Sequence, residues 1–187
     1  MIQWSIEAAL DCKFFDDIVV STDDTKIIDW LPIIYHPVEV RLIERPVELA
    51  LDITPMLPVV KHTVHHSPRM DAIVLLQPTS PFRSASDIHA ALDLLKRSGG
   101  DSVVSITDPE EDLTFRLGHA NRLVPQTNIV VPNGAIYIIT TDALERGENW
   151  YSGVAYAYRM PKDRSIDINT PIDLMMAKAV AEQNNAA

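Results

Sequence analysis

Sulfur chemistry is nearly absent from this sequence. Its single cysteine, Cys12, can close no internal disulfide, which excludes a stapled secreted scaffold and suits a reducing cytoplasm. Cys12 falls near the end of a predicted surface helix with no polar partner beside it, so it does not read as a nucleophile. No run of about 18 apolar residues is present that could cross a bilayer. Met1-Ile2-Gln3-Trp4 has neither the basic start nor the apolar stretch of a secretory signal. Positive charge is scarce as well, with 16 Lys and Arg against 26 Asp and Glu and a net charge of −10. Phosphate backbones are bound by clustered cations, so neither nucleic acid nor a membrane is an expected partner. A small anionic nucleotide stays open, because backbone N–H groups, helix N-termini and a divalent metal can supply local positive potential.

What is present is an ordinary soluble composition, 47% apolar and 22% charged over 187 residues, enough for one domain with a substantial core. There is no repeat, linker or low-complexity segment. Ile2, Ile6, Ala9 and Leu10 share one helical face, so the chain opens inside an amphipathic helix. Asp16–Asp23 reads as a strand entering a polar turn, where Thr22 or Asp23 caps a helix through Trp30 that Pro32 stops. A short strand over Val38–Ile43 ends at Glu44-Arg45-Pro46, and a helix over Pro55–His66 follows. Asp71–Leu75 is an apolar run suited to a strand buried on both faces. After Gly99-Gly100 come a strand at Asp101–Thr107, a hairpin signal within Glu110–Gln126, a strand at Val130–Thr140 and an edge strand at Val154–Met160. Thr170-Pro171-Ile172-Asp173 starts the last helix, with Thr170 at the N-cap. Strand and helix alternate through Ser98, the pattern of a doubly wound parallel α/β sheet.

The chemistry concentrates in Leu75–Arg83, LLQPTSPFR. Gln77, Thr79, Ser80 and Arg83 supply amide, hydroxyl and guanidinium groups, and Pro78 and Pro81 stiffen the backbone between them. Ser84-x-x-Asp87 then reads as a capping box ahead of Ile88, Ala91, Leu92 and Leu95. A buried strand, a rigid polar loop and a helix start make a βα corner, the place where open α/β sheets bind ligands. The plain alternative is a proline-stapled turn. Further on, Asp167-Ile168-Asn169 precedes the last helix. If Ile166 and Ile168 point inward on a short strand, Asp167 and Asn169 share the opposite face and offer oxygen ligands of the kind Mg²⁺ accepts. Capping of the helix is the alternative for these two.

LLQPTSPFR resembles the signature loop of the acylneuraminate cytidylyltransferases, which make CMP-activated sialic acids and related nonulosonates. Asn133-Gly134-Ala135-Ile136-Tyr137 is similar to the family's NGAIY strand, and Ile166–Leu174 to its Asp-x-Asp-Thr metal segment, with Asn169 in place of the second acid. The resemblance implies a Rossmann-like, three-layer nucleotide-diphospho-sugar transferase fold, mostly parallel, as one domain over 1–187 with a β excursion for dimerisation at 110–131. It implies a homodimeric nucleotidyltransferase that uses CTP and an acidic nine-carbon sugar. Asp167 would hold Mg²⁺ or Mn²⁺ with Asn169 in support, and Arg45 would meet the nucleotide. Gln77, Thr79, Ser80, Asn133, Gly134 and Tyr137 would frame base and sugar, and Trp150-Tyr151 falls where an exposed aromatic pair packs on the sugar.

The sequence departs from that pattern in several places. The family places a first, central strand and a loop rich in Gly, Arg, Ser and Lys before the helix at which this sequence opens. The segment between Arg122 and Asn133 is shorter than is usual, and Pro55-Met56 stands where relatives carry small hydroxyl residues. The expectation is that the two neighbours of the first strand expose unpaired edges. The function implied is cytidylyl transfer to a nonulosonic acid. A CMP-Kdo-type or other sugar nucleotidyltransferase, or a non-catalytic nucleotide-binding relative, is the alternative.

Overall fold

The structure, a computed structural model, describes residues 1–109, 114–117, 122–126 and 128–185. Helix α1 (Ile2–Cys12) leads to β1 (Val19–Thr22), α2 (Thr25–Ile34), β2 (Arg41–Glu44), α3 (Met56–His65) and β3 (Ala72–Leu75). Helix α4 (Ala85–Ser98), β4 (Ser102–Thr107), the pair β5 (Thr114–Leu117) and β6 (Leu123–Gln126), β7 (Val131–Thr140), α5 (Thr141–Glu145), β8 (Ala155–Arg159) and α6 (Pro171–Asn185) complete it. The larger sheet has the order β3-β7-β4-β8. Strands β3, β4 and β8 run the same way, and β7 runs against them between β3 and β4. That reversal is not visible in the sequence, where β7 reads as one more core strand. Strands β1 and β2 form a separate parallel pair, and β5 pairs with β6 as an antiparallel hairpin whose turn, Gly118–Asn121, lies outside the described residues.

Two apolar clusters sandwich the larger sheet and make three layers. On one face Ile136, Ile138 and Val103 meet Ile88, Ala91 and Leu95 of α4, with Ala8 and Cys12 of α1. On the other, Ile139 and Val104 meet Val60 of α3, Ala143 and Leu144 of α5, and Trp150. The alternation along β7 puts Ile136 and Ile138 on one side and Tyr137 and Ile139 on the other, as the two-residue period of a strand requires. Each fully buried Ile contributes roughly 1.5–3 kcal/mol of transfer free energy. A third cluster, Ile6, Val20, Leu31 and Val40, joins the outer flank of α1 to the β1–β2 pair.

The helix signals hold in part. Ser84 Oγ accepts from the Asp87 amide at 3.2 Å while Asp87 Oδ2 accepts from the Ser84 amide at 3.0 Å, the capping box read from the sequence. Thr170 and Asp173 make the same reciprocal pair at the start of α6. Three expectations fail. The N-cap of α2 is Asp24, whose carboxylate accepts from the Lys26 amide at 2.8 Å; Thr22 accepts from the Asp24 amide instead. Pro32 lies inside α2, which continues to Ile34, because so near the helix end a proline removes only a single intrahelical bond. Cys12 is no surface residue either. It is 1% exposed, packed between α1 and α4, and burial pushes its thiol above the ordinary range.

The expected doubly buried strand is the fourth difference. Every residue of β3 is only half-buried. Strand β3 pairs with β7 along one edge and β1 with β2 along one edge, and among the described residues no strand joins β1 to β3. Between them lies a slot of about 380 Å³. Val20 and Ile73 line its walls, Ile2 and Ile6 of α1 and Val60 of α3 its faces, and the polar groups of Asp17, Ser67, Arg45 and Gln77 stand at its ends. The unpaired edges expected from the sequence are therefore present as a cleft within the fold.

Candidate functional site

The corner after β3 is built by its own backbone. The Ser80 amide donates to the Gln77 carbonyl at 3.2 Å, closing a turn with Pro78 at its second position, where the fixed φ of proline suits type I and II turns. Phe82 is buried, edge-on to Trp4 with ring centroids 5.5 Å apart. Arg83 then folds back into the interior. Its guanidinium donates to the carbonyls of Ala135 (2.7 Å) and Gln77 and to Ser5 Oγ (2.7 Å), and only 3% of the residue is exposed. Burial lowers its pKa to about 10, so it remains a cation near neutral pH. Arg83 thus fixes the Gln77 loop to α1 and β7 and presents no guanidinium to a ligand.

Opposite the corner, β7 departs from regular pairing. Val104 is opposite Tyr137, yet Ile106 is opposite Pro132. The extra residues on β7 bulge out, and Ser105 fills the gap. Its hydroxyl lies 2.7 Å from the Ile136 amide, which donates to it, and 2.6 Å from Asn133 Oδ1. Bulges of this sort re-aim side chains beside functional sites. Asn133 is 2% exposed, and its amide is fully engaged. Nδ2 donates to Ser165 Oγ (2.9 Å) and to Met160 Sδ (3.3 Å), and Oδ1 also accepts from the Ala135 amide (3.2 Å). Asn133 is thereby a strut between β7 and the segment before α6.

Gly134 carries the closest approach in the site. Its φ is +74°, and a Cβ there would stand 2.7 Å from Ser80 Oγ and 3.2 Å from Asp167 Cγ. Only glycine accommodates both the backbone angle and the crowding. Ser80 is fully buried, and its hydroxyl lies 2.9 Å from the Asn133 carbonyl and 3.2 Å from Asp167 Oδ1. The Thr79 carbonyl accepts from the Ile168 amide at 2.8 Å. So Thr79, Ser80, Asn133, Gly134 and Asp167, far apart in sequence, converge outside the carboxyl end of β3.

The short strand expected around Ile166–Asn169 does not form, since residues 165–169 pair with no neighbouring strand, but Asp167 and Asn169 do share a side: Asn169 Nδ2 donates to Asp167 Oδ2 at 2.9 Å. That donor set bears on a divalent cation. Asp167 is half-buried with a carboxylate of hard oxygens, and no group of three His, Cys, Asp or Glu able to hold a metal exists among the described residues. One carboxylate fits Mg²⁺ or Mn²⁺ that takes its remaining ligands from phosphate oxygens and water. It does not fit a closed protein cage. With its amide nitrogen turned to Asp167, Asn169 orients that carboxylate.

The remaining expected residues divide. Tyr137 is half-buried against Trp150, ring centroids 5.5 Å apart. Burial, the Tyr151 hydroxyl and the charge of Asp167 together hold its phenol well above the ordinary value, so it stays protonated near neutral pH. Tyr151 is 61% exposed beside it. Trp150 is not an exposed partner as expected. It is 7% exposed, in the cluster beneath β7, because its flat ring fills the space between α5 and β4. Gln77, Thr79 and Arg45 line the slot, and of the three Thr79 is tied to the acidic segment, through its carbonyl and the Ile168 amide. Arg45 donates to the Ser21 carbonyl at 2.5 Å and to Ser21 Oγ at 3.4 Å. Sequence reading missed Ser105 and Ser165, both struts of Asn133. Ser165 stands directly before the acidic segment, which is the one signal that could have marked it.

This geometry has close counterparts. A solved 4-diphosphocytidyl-2C-methyl-D-erythritol synthase from Anaerococcus prevotii superposes with a TM-score of 0.76 over 97% of this chain and 88% of its own, at 11% identity. A CMP:2-keto-3-deoxy-manno-octonic acid synthetase solved with CTP does so at 0.68 over 98% and 88%, at 14% identity. These establish the nucleotidyltransferase-type α/β fold. In sequence, the chain is 27% identical to an N-acylneuraminate cytidylyltransferase of Escherichia coli over 99% of its length. It is 29% identical to a CMP-N,N'-diacetyllegionaminic acid synthase of Legionella pneumophila over all of it. It spans 46% of the first relative's length and 87% of the second's. The cytidylyltransferase family profile matches residues 1–185, and the chain belongs to that family.

Proposed function

We propose that this protein transfers the cytidylyl group of CTP to a sialic-type nonulosonic acid. The convergence of Ser80, Gly134 and Asp167 at the carboxyl end of the sheet carries this reading. In the reaction the sugar's anomeric hydroxyl attacks the α-phosphorus of CTP and gives up its proton to solvent, the bond to the bridging oxygen breaks, and pyrophosphate leaves with that electron pair. Such transfer depends on positioning and on neutralising charge more than on covalent help from the protein. A divalent cation held by Asp167 would supply charge neutralisation at the phosphates. The chain's own part is to hold that carboxylate, through Ser80 and Asn169, and to present the neutral Tyr137 hydroxyl with the exposed Tyr151 ring beside it. Arg45 would meet the nucleotide at the mouth of the slot, and Gln77 and Thr79 would bound it. A homodimer in the cytoplasm is part of the same reading, supported by a sequence whose single cysteine, Cys12, can close no internal disulfide and by the apolar exposed flank of α6, Ile172 and Met175.

The test is pyrophosphate release from CTP and Mg²⁺ with N-acetylneuraminic, legionaminic and Kdo acids in turn, for wild type and Asp167→Ala. Turnover with a nine-carbon acid, reduced on the order of 100-fold or more by the substitution, is expected. Turnover untouched by Asp167→Ala would overturn the site. The single carboxylate, where a second acid would strengthen cation binding, favours one other reading: a nucleotide-binding relative without turnover. Calorimetric binding of CTP with no pyrophosphate released would establish that one.

A further inference from the structure

We infer that Asp87, Arg164 and Tyr158 are positioning residues that fix the Asp167 carboxylate, an inference that rests on the cytidylyltransfer reading above. Residues 165–169 belong to neither helix nor strand, so no backbone ladder holds Asp167 in place. Its placement depends on isolated anchors to either side. Downstream, the Ile168 amide is bound by the Thr79 carbonyl at 2.8 Å. Upstream, Ser165 Oγ accepts from Asn133 and donates to the Pro161 carbonyl at 2.7 Å. The strongest anchor is the residue before it. Arg164 donates from Nε and Nη2 to the two oxygens of Asp87, each at 2.9 Å.

Asp87 is more than a helix cap. It is 1% exposed, and capping α4 occupies only its bonds to Ser84, at 3.0 Å from the amide and 2.7 Å from the hydroxyl. Its other oxygen accepts from Tyr158 Oη at 3.0 Å as well as from Arg164. Three elements thus meet on one buried carboxylate: the start of α4, which continues the Gln77–Arg83 corner; the end of β8; and the short helical turn Lys162–Arg164 that enters the Asp167 segment. A bidentate guanidinium–carboxylate pair fixes direction as well as distance, and here it ties the corner to the segment that faces it. Arg164 lies three residues from Asp167 in the chain, a reach of about 10 Å at full extension. A loosened Arg164 is therefore a loosened Asp167. Groups that orient a metal-binding carboxylate commonly change metal affinity about 10- to 100-fold when removed.

The experiment is titration of Mn²⁺ in the presence of CTP, with free Mn²⁺ read by electron paramagnetic resonance. The proteins are wild type, Arg164→Ala, Arg164→Lys, Tyr158→Phe and, as reference, Asp167→Ala. Arg164→Ala should weaken protein-bound Mn²⁺ about 10-fold, and Arg164→Lys should recover it only in part because the planar fork is lost. Tyr158→Phe should weaken it a few-fold by removing one of the bonds on Asp87. Asp167→Ala should abolish it. Wild-type Mn²⁺ affinity in folded Arg164→Ala, with Asp167→Ala inactive in binding, would overturn the positioning role and leave the site intact. No difference between wild type and Asp167→Ala would overturn the site itself and the positioning role with it. If Arg164→Ala fails to fold by far-ultraviolet circular dichroism, Arg164→Lys and Tyr158→Phe decide: a lowered melting temperature with unchanged Mn²⁺ affinity marks a purely structural pair.

Discussion

The two sides of α1 are built to different standards. Toward α4 and the larger sheet, Ala8 and Cys12 enter a cluster whose β-strand members, Val103, Ala135, Ile136 and Ile138, have no exposed surface. Toward β1 and β2, Ile6 enters a smaller cluster with Val20, Leu31 and Val40, and half-buried neighbours such as Ile18, Ile27 and Leu42 complete it. The first side contains the convergence around Gly134 and the Asp87 anchor. The second borders the open slot between β1 and β3. The site's carboxylate, struts and crowded glycine therefore all belong to the packed side, while Arg45, bonded to Ser21, lies on the other. A closely packed cluster on one side with an open slot on the other means that the two sides should respond differently to damage.

The largest response should come from Gly134. Alanine there meets both a positive φ and contact with buried Ser80 at 2.7 Å, and strain plus overpacking together amount to about 4 kcal/mol. Gly99, at the C-terminus of α4, is the control, since its φ is +64° but no atom lies within 4 Å of an added Cβ. Gly99→Ala should cost only about 1 kcal/mol. Urea denaturation of both variants measures this. Equal losses would mean that the crowding around Ser80 and Asp167 relaxes freely, and the packed side is softer than its burial suggests.

A smaller effect separates the two sides directly. Amides of β7 and β4, bonded on both flanks in a buried sheet, should exchange with solvent only on global unfolding. Those of β1 and β2, which among the described residues pair only with each other, should exchange by local opening roughly 100-fold faster, a difference of about 3 kcal/mol. Native-state hydrogen exchange resolves it. Equal protection would show that the slot does not weaken its walls. An apolar ligand or added strand that slows β1 exchange without affecting β4 would sharpen the contrast instead.

The sequence makes much of the packed side readable and little of how it is fastened. Short apolar runs place β4 and β7, and the Ser84-x-x-Asp87 box places the start of α4, because those signals are local. The corner LLQPTSPFR announces a ligand site by its polarity between two prolines. Its Arg83, however, turns inward, and nothing local distinguishes a guanidinium that braces Ala135 and Ser5 from one that meets a phosphate. Asn133 and Asp87 are the same case: each is read through a motif, yet its partners lie 28 and 77 residues away. The antiparallel course of β7 is equally hidden, since a strand doubly buried reads alike in either direction. Trp150 went into the core because burial of an aromatic is decided by which cavity is nearby, not by the glycines flanking it in sequence.

Acid titration probes the best fastened point of the packed side. Burial alone would raise the Asp87 carboxyl above its ordinary value of 3.8, but the Arg164 guanidinium, the Ser84 amide and hydroxyl and the Tyr158 hydroxyl outweigh it and hold it near 2. The sign follows from proton affinity. Between about pH 4 and pH 2 the unfolded chain takes up the proton at this position more readily than the folded chain does, so acid favours unfolding. The stabilisation is fully present above pH 4, on the order of 2 kcal/mol, and disappears as the pH falls through about 2. Asp87→Asn lacks that contribution. Urea unfolding of wild type and variant at pH 7, 5, 4, 3 and 2 should show a gap of about 2 kcal/mol that is flat down to pH 4 and narrows below it. A gap that persists unchanged at pH 2 would mean that Asp87 stabilises the fold by packing or by neutral hydrogen bonds, and the ion pair with Arg164 would no longer be the fastening that distinguishes this side of the molecule.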